Sequence, residues 1–434
     1  MVTSDILIIG AGASGLMAAR ELVKTDRKVT ILEARDRCGG RIHTLNHKLF
    51  LKTAELGAEF IHGDLQLTLK LLDEAGIARQ PAGGEMWHSH DGKLDNEGPF
   101  AGGWDALMEK LAALTTDMTI NQFLEKEFSD KKYEPLKKSV RRFAAGYDNA
   151  DPDKASAFAL RDEWMDDDHN QYRVKGGYGQ MIAFLEDEVK KAGGKVLLNS
   201  IAKRIEWKKD RVKVITNEGA SYESEKVIVA LPLGVLQADQ AEKAAISFDP
   251  PIPEYIDALD GIGFGAVIKI LLEFDAPFWE DKQTEALAGS SLKNMGFVLS
   301  DEEIPAWWTQ VPIHSPVLTG WFGGPAAEEK KGLTEEEILQ LSVVSLSSIF
   351  RRSINELKDR IVSFHITNWT AEPFALGSYA YDMVGSSDAR KVLGEPIENT
   401  VFFAGEYLYE GPAMGTVEAA LAAAKFAVEK ILSE

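Results

Sequence analysis

Cysteine is almost absent from this sequence of 434 residues, which contains Cys38 and no other. One cysteine cannot form an internal disulfide, and it cannot supply a metal site built from several cysteines. It also favours a reducing compartment, so we expect a cytoplasmic protein. The first residues, MVTSD, run directly into ILIIG. This start lacks the basic segment and the long apolar core of a secretory signal.

Positive charge and long apolar runs are also scarce. Lys and Arg number 48 against 68 Asp and Glu, which gives a formal net charge of -20. Nucleic acid is therefore not an expected partner, because phosphate binding needs a basic surface. No apolar run approaches the roughly 18–20 residues that span a bilayer. The richest run, VIVALPLGVL, is interrupted by Pro232, so we expect no membrane anchor.

The chain is too long for one compact core, and two domains are expected. Its opening predicts a βαβ unit: DILIIG is a buried strand, SGLMAARELVKT a helix and KVTILE a second strand. Similar buried strands are predicted near 227–231 and 400–404. A further helix is predicted after Thr334, with Glu337 placed for a capping box.

The predicted fold class is α/β, with a Rossmann-like domain assembled from separated segments and an inserted α+β domain that carries a mixed sheet. We assign residues 1–80, 195–250 and 365–434 to the Rossmann-like, nucleotide-binding domain. The inserted domain, which would bind the substrate, comprises residues 81–194 and 251–364.

A glycine-rich turn follows the first strand and opens the first helix, where Gly10 to Gly15 read GAGASG. This G-x-G-x-x-G spacing, in a strand–turn–helix context, predicts a dinucleotide site. Gly10 permits the tight turn, Gly12 lets the backbone approach a pyrophosphate, and Gly15 lets the helix pack on the strand. The pyrophosphate would lie on the helix N-terminus, where Ala13 and Ser14 are assigned to the cofactor.

An acidic residue at the end of the second strand strengthens this prediction. The Glu33 carboxylate can accept both hydroxyls of an adenosine ribose, and it disfavours the 2′-phosphate of NADP. The alternative is a surface glutamate in a turn. The adjacent Ala34 and Arg35 are also assigned to the cofactor.

The segment GAGASGL…ILEARDRCGGRIHT resembles the N-terminal signature of the flavin-containing amine oxidase family. The resemblance continues through ELGAEFIHG, GGYGQMIAFL, VIVALPLGVL, GFGAVIKILLEFDAPFW, NWTAEPFALGSYAY and FFAGEYLYEGPAMGTVEAALAAAKFAVEKI. Within the family the chain looks more similar to polyamine oxidases and the lysine-specific histone demethylase than to mitochondrial monoamine oxidases. The resemblance implies that the Rossmann-like domain binds FAD and that the substrates are a small-molecule amine and O2.

The resemblance also assigns cofactor contacts beyond the glycine turn. The GGR segment, with Gly40 and Arg41, would cross back under the dinucleotide and bring its arginine to the phosphates and flavin; the alternative is an exposed basic turn. Trp369 would flank the flavin ring, with plain core packing as the alternative. The other contacts implied are Gly57, Ala58, Glu59, Phe60, Ala202, Gly405, Glu406, Thr416 and Val417.

Lys269 lies in an otherwise apolar strand, AVIKILLEF. Strand alternation places it on one face with Val267 and Leu271, where a lysine is costly unless it has a partner or a function. The alternative is an edge-strand lysine that reaches solvent. By resemblance, Lys269 is catalytic: it holds a water against flavin N5 and assists reoxidation by O2.

Three residues are predicted to contact the substrate. Tyr379 in GSYAY would line the amine, although Tyr381 shares its strand face and either ring could be core. Thr416 would stand where monoamine oxidases carry the second tyrosine of an aromatic cage, so the two-ring cage is missing. His62 could accept protons near neutral pH, with a buried, hydrogen-bonded histidine as the alternative.

Ser378 occupies the place of the cysteine that bonds the flavin in monoamine oxidases, so FAD is predicted to be noncovalent.

Two further groups of polar side chains, a histidine pair and an acidic cluster, are present in the sequence. His88 and His90 form no convincing metal set, and no metal site is predicted. An acidic cluster could attract a polyamine, but a solvated acidic loop is the preferred interpretation. Its members are Asp162, Glu163, Asp166, Asp167 and Asp168.

The favoured hypothesis is an FAD-dependent amine oxidase, which transfers a hydride from the α-carbon of an amine to the flavin and reduces O2 to H2O2. One rival is a flavin desaturase or porphyrinogen-type oxidase of the same fold. A third is a non-catalytic flavoprotein that binds partners.

Overall fold

The computed structural model describes residues 2–47, 53–90, 92–96, 103–165 and 170–433. Within these ranges, no helix is both long enough and apolar enough to cross a membrane.

The strands in the first half of the described chain are β1 (Val2–Thr3), β2 (Ile6–Ile9), β3 (Val29–Leu32), β4 (Thr44–Leu45), β5 (Ala54–Glu55), β6 (Phe60–His62), β7 (Arg79–Pro81), β8 (Glu85–His90), β9 (Lys93–Asp95), β10 (Gln171–Val174), β11 (Lys195–Leu197), β12 (Ala202–Lys208) and β13 (Arg211–Thr216). Those in the second half are β14 (Ser221–Ser224), β15 (Lys226–Val229), β16 (Ser247–Asp249), β17 (Gly263–Phe264), β18 (Val267–Phe274), β19 (Met295–Ser300), β20 (Ala306–Trp308), β21 (Val317–Gly323), β22 (Ile361–Asn368), β23 (Ala380–Tyr381) and β24 (Val401–Phe403).

The α-helices are α1 (Ala13–Val23), α2 (Gln66–Glu74), α3 (Trp104–Ala112), α4 (Ile120–Glu127), α5 (Glu134–Gly146), α6 (Ala157–Trp164), α7 (Gly179–Lys191), α8 (Leu233–Leu236), α9 (Pro253–Asp260), α10 (Lys282–Ala288), α11 (Gly324–Glu329), α12 (Glu335–Phe350), α13 (Ile354–Arg360), α14 (Ser386–Gly394) and α15 (Val417–Leu432). Short 3-10 helices cover Lys131–Tyr133, Phe278–Glu280 and Glu406–Leu408.

A parallel sheet with the order β11-β3-β2-β15-β24 forms the first structural unit. Each pair of neighbours runs parallel, which confirms the βαβ start and the buried strands predicted near 227–231 and 400–404. Because all strands point the same way, their carboxyl ends meet at one edge, where ligands of such sheets bind. Gly10, Glu33 and Ala404 directly follow three of these strands.

Both faces of the parallel sheet are covered. Ile6 and Ile8 of β2 pack with helices α1, α7 and α15, whereas Leu7 and Ile9 pack in a separate core with the antiparallel strands β12 and β13. The division follows from strand alternation. Helix α7 thus packs on the nucleotide-binding unit although it lies in the segment 81–194. The division into domains stays a proposal, and in it α7 belongs with the nucleotide-binding domain.

A seven-stranded mixed sheet, with the order β22-β18-β21-β20-β19-β8-β9, forms the second unit. Only its β19–β8 pair is parallel among the described strands. Helix α12 covers one face, and it begins after Thr334 with the predicted capping box to Glu337. On the opposite face of β18, Val267 packs against Trp369 and Leu271 against Leu56. This face, which also carries Lys269, therefore turns toward the nucleotide-binding unit.

Helices α3 to α6 share a third apolar core, which contains Leu107, Phe123, Val140 and Leu160. Tyr381 of β23 belongs to the same core. Helix α5 contacts β21 of the mixed sheet, and β23 contacts the 3-10 helix Glu406–Leu408 that follows β24 of the parallel sheet.

Candidate active site

A cavity of about 1770 Å³ lies where the three units meet. The residues predicted for the site that line it are Gly10, Gly12, Ala13, Ser14, Glu33, Ala34, Arg35, Gly40, Arg41, Gly57, Ala58, Glu59, Phe60, His62, Ala202, Lys269, Trp369, Tyr379, Gly405, Glu406, Thr416 and Val417. Gly15 is not part of the lining. The cavity thus brings together segments from both ends and the middle of the chain.

The glycine turn closes tightly around the end of β2. Gly10 has a φ of +102°, and a Cβ atom there would lie 2.5 Å from the Ala230 carbonyl oxygen. A Cβ atom at Gly15 would lie 1.9 Å from the Gly10 carbonyl oxygen, so Gly15 allows helix α1 to pack on the turn. A Cβ atom at Gly12 would meet nothing within 4 Å, so the backbone there faces the open cavity.

Ser14 supplies an independent sign of an anionic ligand at this turn. Its Oγ is buried and has no hydrogen-bond partner among the described residues. Buried hydroxyls normally have a partner, and Ser14 lies in the first turn of α1, where free N–H groups attract phosphate. The turn therefore fits the pyrophosphate of the predicted dinucleotide.

Glu33 is fixed at the end of β3 and is only 3% exposed, which excludes the surface-glutamate alternative. Its Oε2 accepts the Ala11 N–H at 2.7 Å, and its Oε1 accepts the Arg35 N–H at 2.9 Å. A carboxylate has further lone pairs for ribose hydroxyls. The Arg35 guanidinium is paired with Glu372.

The GGR segment lies against the glycine turn. Gly39 forms a parallel bridge with Gly12, and its N–H donates to the Ala11 carbonyl at 2.8 Å. Arg41 is not an exposed basic turn residue: its Nη1 lies 2.9 Å from the buried Glu406 Oε1. Because Arg41 and Glu406 carry opposite charges, the pair has no net charge. A contact between Arg41 and the cofactor phosphates stays a prediction.

Lys269 is completely buried on β18, which has neighbours on both sides, so it is not an edge-strand lysine. Its Nζ donates to Glu59 Oε2 at 2.7 Å and to the Gly57 carbonyl at 3.0 Å. The other carboxylate oxygen of Glu59 accepts from Arg173 Nε at 3.0 Å and from Trp308 Nε1 at 3.1 Å. Two cations therefore share one buried carboxylate.

The sequence predicted Glu59 as a cofactor contact, and Arg173 and Trp308 were not predicted. Burial alone would raise the pKa of Glu59, but the Lys269 and Arg173 charges, with hydrogen bonds from Lys269 and Trp308, hold it below its usual value. Glu59 is thus a carboxylate that accepts hydrogen bonds from these three side chains. Its direct contact with the cofactor remains a prediction.

Tyr379 and His62 form part of the aromatic wall of the cavity. The Tyr379 hydroxyl donates to the Tyr147 carbonyl, and a Cβ atom at Gly415 would lie 2.8 Å from the Tyr379 ring. The small Gly415, which the sequence prediction missed, makes room for this ring. His62 packs edge-on to Tyr147 at 6.1 Å between centroids.

The environment of His62 differs from the expectation of titration near neutral pH. Burial lowers the pKa of His62 to about 4, and its buried Nδ1 has no partner among the described groups. The hydrogen-bonded alternative is therefore not observed at this nitrogen. A neutral imidazole faces the cavity at physiological pH.

Thr416 acts as the N-cap of α15. Its hydroxyl accepts the Ala419 N–H at 3.2 Å and donates to the Ala413 carbonyl at 2.6 Å. The hydroxyl is thus occupied by the helix terminus, and a substrate contact stays a prediction. Trp369 is 4% exposed, and its Nε1 donates to the Leu56 carbonyl at 2.7 Å, so it is fixed in the core while it also lines the cavity.

The described members of the acidic cluster lie in two environments, the solvent and the cavity. Asp162 is exposed and pairs with Arg161 at 2.7 Å, whereas Glu163 lines the cavity. Residues 166–168 lie outside the described residues. Among those described, no group of His, Cys, Asp and Glu is arranged to hold a metal ion.

Comparisons with known proteins show relatives along nearly the whole chain. Polyamine oxidase 4 of Oryza sativa subsp. japonica is 25% identical over 457 residues, covering 99% of this chain and 90% of that protein. Human lysine-specific histone demethylase 2 is 28% identical over 439 residues, covering 93% of this chain but 50% of the demethylase. This chain therefore spans about half the length of the demethylase.

Two solved structures show the same fold. Wild-type putrescine oxidase bound to putrescine has a TM-score of 0.81, with 22% identity and full coverage of both chains. Cyclohexylamine oxidase from Brevibacterium oxydans IH-35A has a TM-score of 0.79 and 21% identity, covering 99% of this chain and 98% of that one.

A sequence model for flavin-containing amine oxidoreductases matches residues 13–432. That match begins within the glycine turn, at Ala13, and includes Lys269 and the C-terminal segment that lines the cavity. The chain therefore belongs to the flavin-containing amine oxidoreductase family, and its cofactor is FAD.

Proposed function

We propose that this enzyme oxidises a polyamine-like or other primary or secondary amine to an imine and reduces O2 to H2O2. The glycine turn and Glu33 would hold FAD, which would supply an acceptor for the α-carbon hydride and return two electrons to O2, giving H2O2 with two protons. The nitrogen lone pair forms the C=N bond as the hydride departs. The released imine takes up water to give a carbonyl compound, with ammonia from a primary amine or an amine from a secondary one.

The observation that carries this proposal is the buried Lys269–Glu59 pair in the cavity wall. Two ionised groups that are almost fully buried are costly for folding, and apolar residues would fill the same positions more cheaply. Their retention beside Gly57, in a cavity that also contains Tyr379, supports a charge-dependent reaction. A desaturase for an apolar substrate has no need of this pair.

The remaining side chains support binding of an uncharged amine. Tyr379 and Trp308 give an apolar wall that orients the substrate and excludes water. The neutral His62 adds no positive charge that would repel a protonated amine on its approach.

Noncovalent attachment of FAD is part of the proposal. Ser378 occupies the motif position at which a cysteine would be needed. Cys38 is not among the cavity-lining residues, and burial together with Glu186 raises the pKa of its thiol to about 12, which keeps it protonated. We also propose the cytoplasm as the compartment, on the basis of this single cysteine.

The test is anaerobic mixing of the purified holoprotein with polyamines, monoamines, L-amino acids and a methylated-lysine peptide, followed at the flavin absorbance band. We expect bleaching by one amine class, with return of the colour and release of H2O2 when air is admitted. A yellow protein that no amine bleaches would contradict the proposal and favour the desaturase or a non-catalytic flavoprotein.

A substitution at Glu33 tests the ribose contact. We expect Glu33→Gln to raise the FAD dissociation constant about 10–100-fold, because one charge-assisted hydrogen bond contributes roughly 1.5–3 kcal/mol. The measurement is a fluorescence titration of the apoprotein with FAD. Glu21→Gln, which removes the same charge from the exterior of α1, is the control, and equal affinities in both variants would exclude the ribose contact.

A further inference from the structure

The buried Asp148 and the half-buried Glu163 form a second acidic group that no catalytic step described above uses. Asp148 follows helix α5, Glu163 lies on α6, and both line the cavity. Burial and then the nearby Glu163 charge raise the pKa of Asp148, so the two carboxyl groups lie close together. Asp148 is 5% exposed; its Oδ2 accepts from Trp164 Nε1 at 3.3 Å, but its Oδ1 has no partner among the described residues. This free oxygen indicates a missing donor.

Described cations close to the pair in the chain are committed to other carboxylates. Arg161 pairs with Asp162 at 2.7 Å, and Lys154 pairs with Asp151 at 3.6 Å. Arg141, on the preceding helix α5, pairs with Glu125. The acidic pair thus lacks a cation from this described part of the chain.

The missing cation has a clear electrostatic consequence. Burial raises the pKa of Glu163 to about 7, and burial together with the Glu163 charge raises the pKa of Asp148 well above its usual value. The two carboxyls therefore retain a proton that exposed acids would lose. An ammonium group that reached them would favour the ionised form and would supply the missing donors.

The segment that carries Asp148 is held rigidly against the predicted amine site. Trp321 Nε1 donates to the Gly146 carbonyl at 2.8 Å, and Asn149 Nδ2 donates to Ser378 Oγ at 3.1 Å. The Tyr379 hydroxyl donates to the carbonyl of Tyr147, the residue directly before Asp148. The acidic pair and the Tyr379 ring are therefore fixed in one cavity by the same short segment.

We propose that Asp148 and Glu163 bind the second ammonium group of a diamine or polyamine whose first amine is oxidised beside Tyr379. The inference rests on the proposed function and names the substrate class of that site. The aromatic wall accommodates the methylene chain between the two nitrogens. A substrate with one amine leaves the pair without its donor, so diamines are preferred over monoamines of equal length.

The first test compares kcat/KM for butane-1,4-diamine and pentane-1,5-diamine with that for butylamine and pentylamine. In the double variant Asp148→Asn/Glu163→Gln we expect the diamine-to-monoamine ratio to fall at least about 30-fold, as for loss of a buried charge pair. Both residues are replaced together because either carboxyl alone can still ionise. The matched control is Asp162→Asn/Asp187→Asn, which removes two exposed charges. A ratio within about threefold of the wild type overturns the proposal.

A second measurement separates this inference from the proposed function and needs no variant. Calorimetry of the dithionite-reduced wild-type holoprotein, without oxygen, measures binding of pentane-1,5-diamine and pentylamine where no turnover can occur. Tighter binding of the diamine by at least about tenfold supports the ammonium site even if no amine is oxidised. Equal affinities overturn it, even if the enzyme proves to be an amine oxidase.

Discussion

We expect replacement of Lys269 with methionine to slow reoxidation of the reduced flavin by O2 about 100-fold, the usual effect of losing one preorganised electrostatic contact. Reduction of O2 builds negative charge in the cavity, and the buried Lys269 ammonium supplies a fixed positive charge there. Methionine has a similar length and no charge. Anaerobic reduction of the flavin by the amine is expected to change much less, since the amine requires no cation.

Stopped-flow absorbance measures the two half-reactions separately. Lys331→Met, which removes an exposed lysine paired with Glu328, is the control. Lys269→Arg retains the charge and should restore part of the oxygen reaction. If Lys269→Met reoxidises within about threefold of the wild type, the assignment of Lys269 to the oxygen reaction is wrong.

Replacing Glu59 with glutamine lowers the free energy of unfolding by about 3–5 kcal/mol, the usual cost of removing one partner of a buried ion pair. The substitution leaves Lys269 and Arg173 as two unpaired cations. Lys269→Met should be far milder, because Glu59 and Arg173 then remain as a one-to-one pair.

Denaturant unfolding of the holoproteins measures these differences. Glu328→Gln, at an exposed position, is the control for the loss of one glutamate charge. In the double variant Glu59→Gln/Lys269→Met, removal of the lysine should recover part of the stability, so the two effects should not add. Simple additivity would show that the Lys269–Glu59 contact contributes nothing.

Local patterns in the sequence predict the parts of the site that lie close together in the chain. The spacing from Gly10 to Glu33 is enough to place the turn and the acid at one sheet edge, because parallel strands align their carboxyl ends. Alternation along AVIKILLEF places Lys269 on the face of Val267 and Leu271, and the packing of both neighbours confirms that face.

Local sequence patterns do not predict which distant side chains contact these residues. Glu55 and Glu59 lie in the same apolar segment, ELGAEFIHG, yet their environments differ. Burial raises the pKa of Glu55 to about 7, whereas Lys269 and Arg173 hold that of Glu59 below its usual value. Which acid receives the cations depends on strands far away in the chain. Only the assembled sheets bring them together.

Because local patterns do not show contacts between distant segments, the sequence favours a solvated loop for the acidic cluster. Asp162 and Glu163 are adjacent, but Asp162 is exposed and Glu163 meets Asp148 from the segment that follows helix α5. Charge density alone does not distinguish the two orientations. Asp148 did not stand out because it lies in YDNADPD, a polar segment typical of a turn.

The strand order of the parallel sheet has a consequence for synthesis of the protein. Strand β15 lies between β2, near the N-terminus, and β24, near the C-terminus. During translation, the edge of β15 that β24 covers stays open until residues 401–403 have been synthesised, and open edges recruit other strands. The β15 edge is thus exposed to aggregation while residues 230–400 are being synthesised. Even a short C-terminal truncation that reaches β24 would damage the cofactor site formed by the first forty residues.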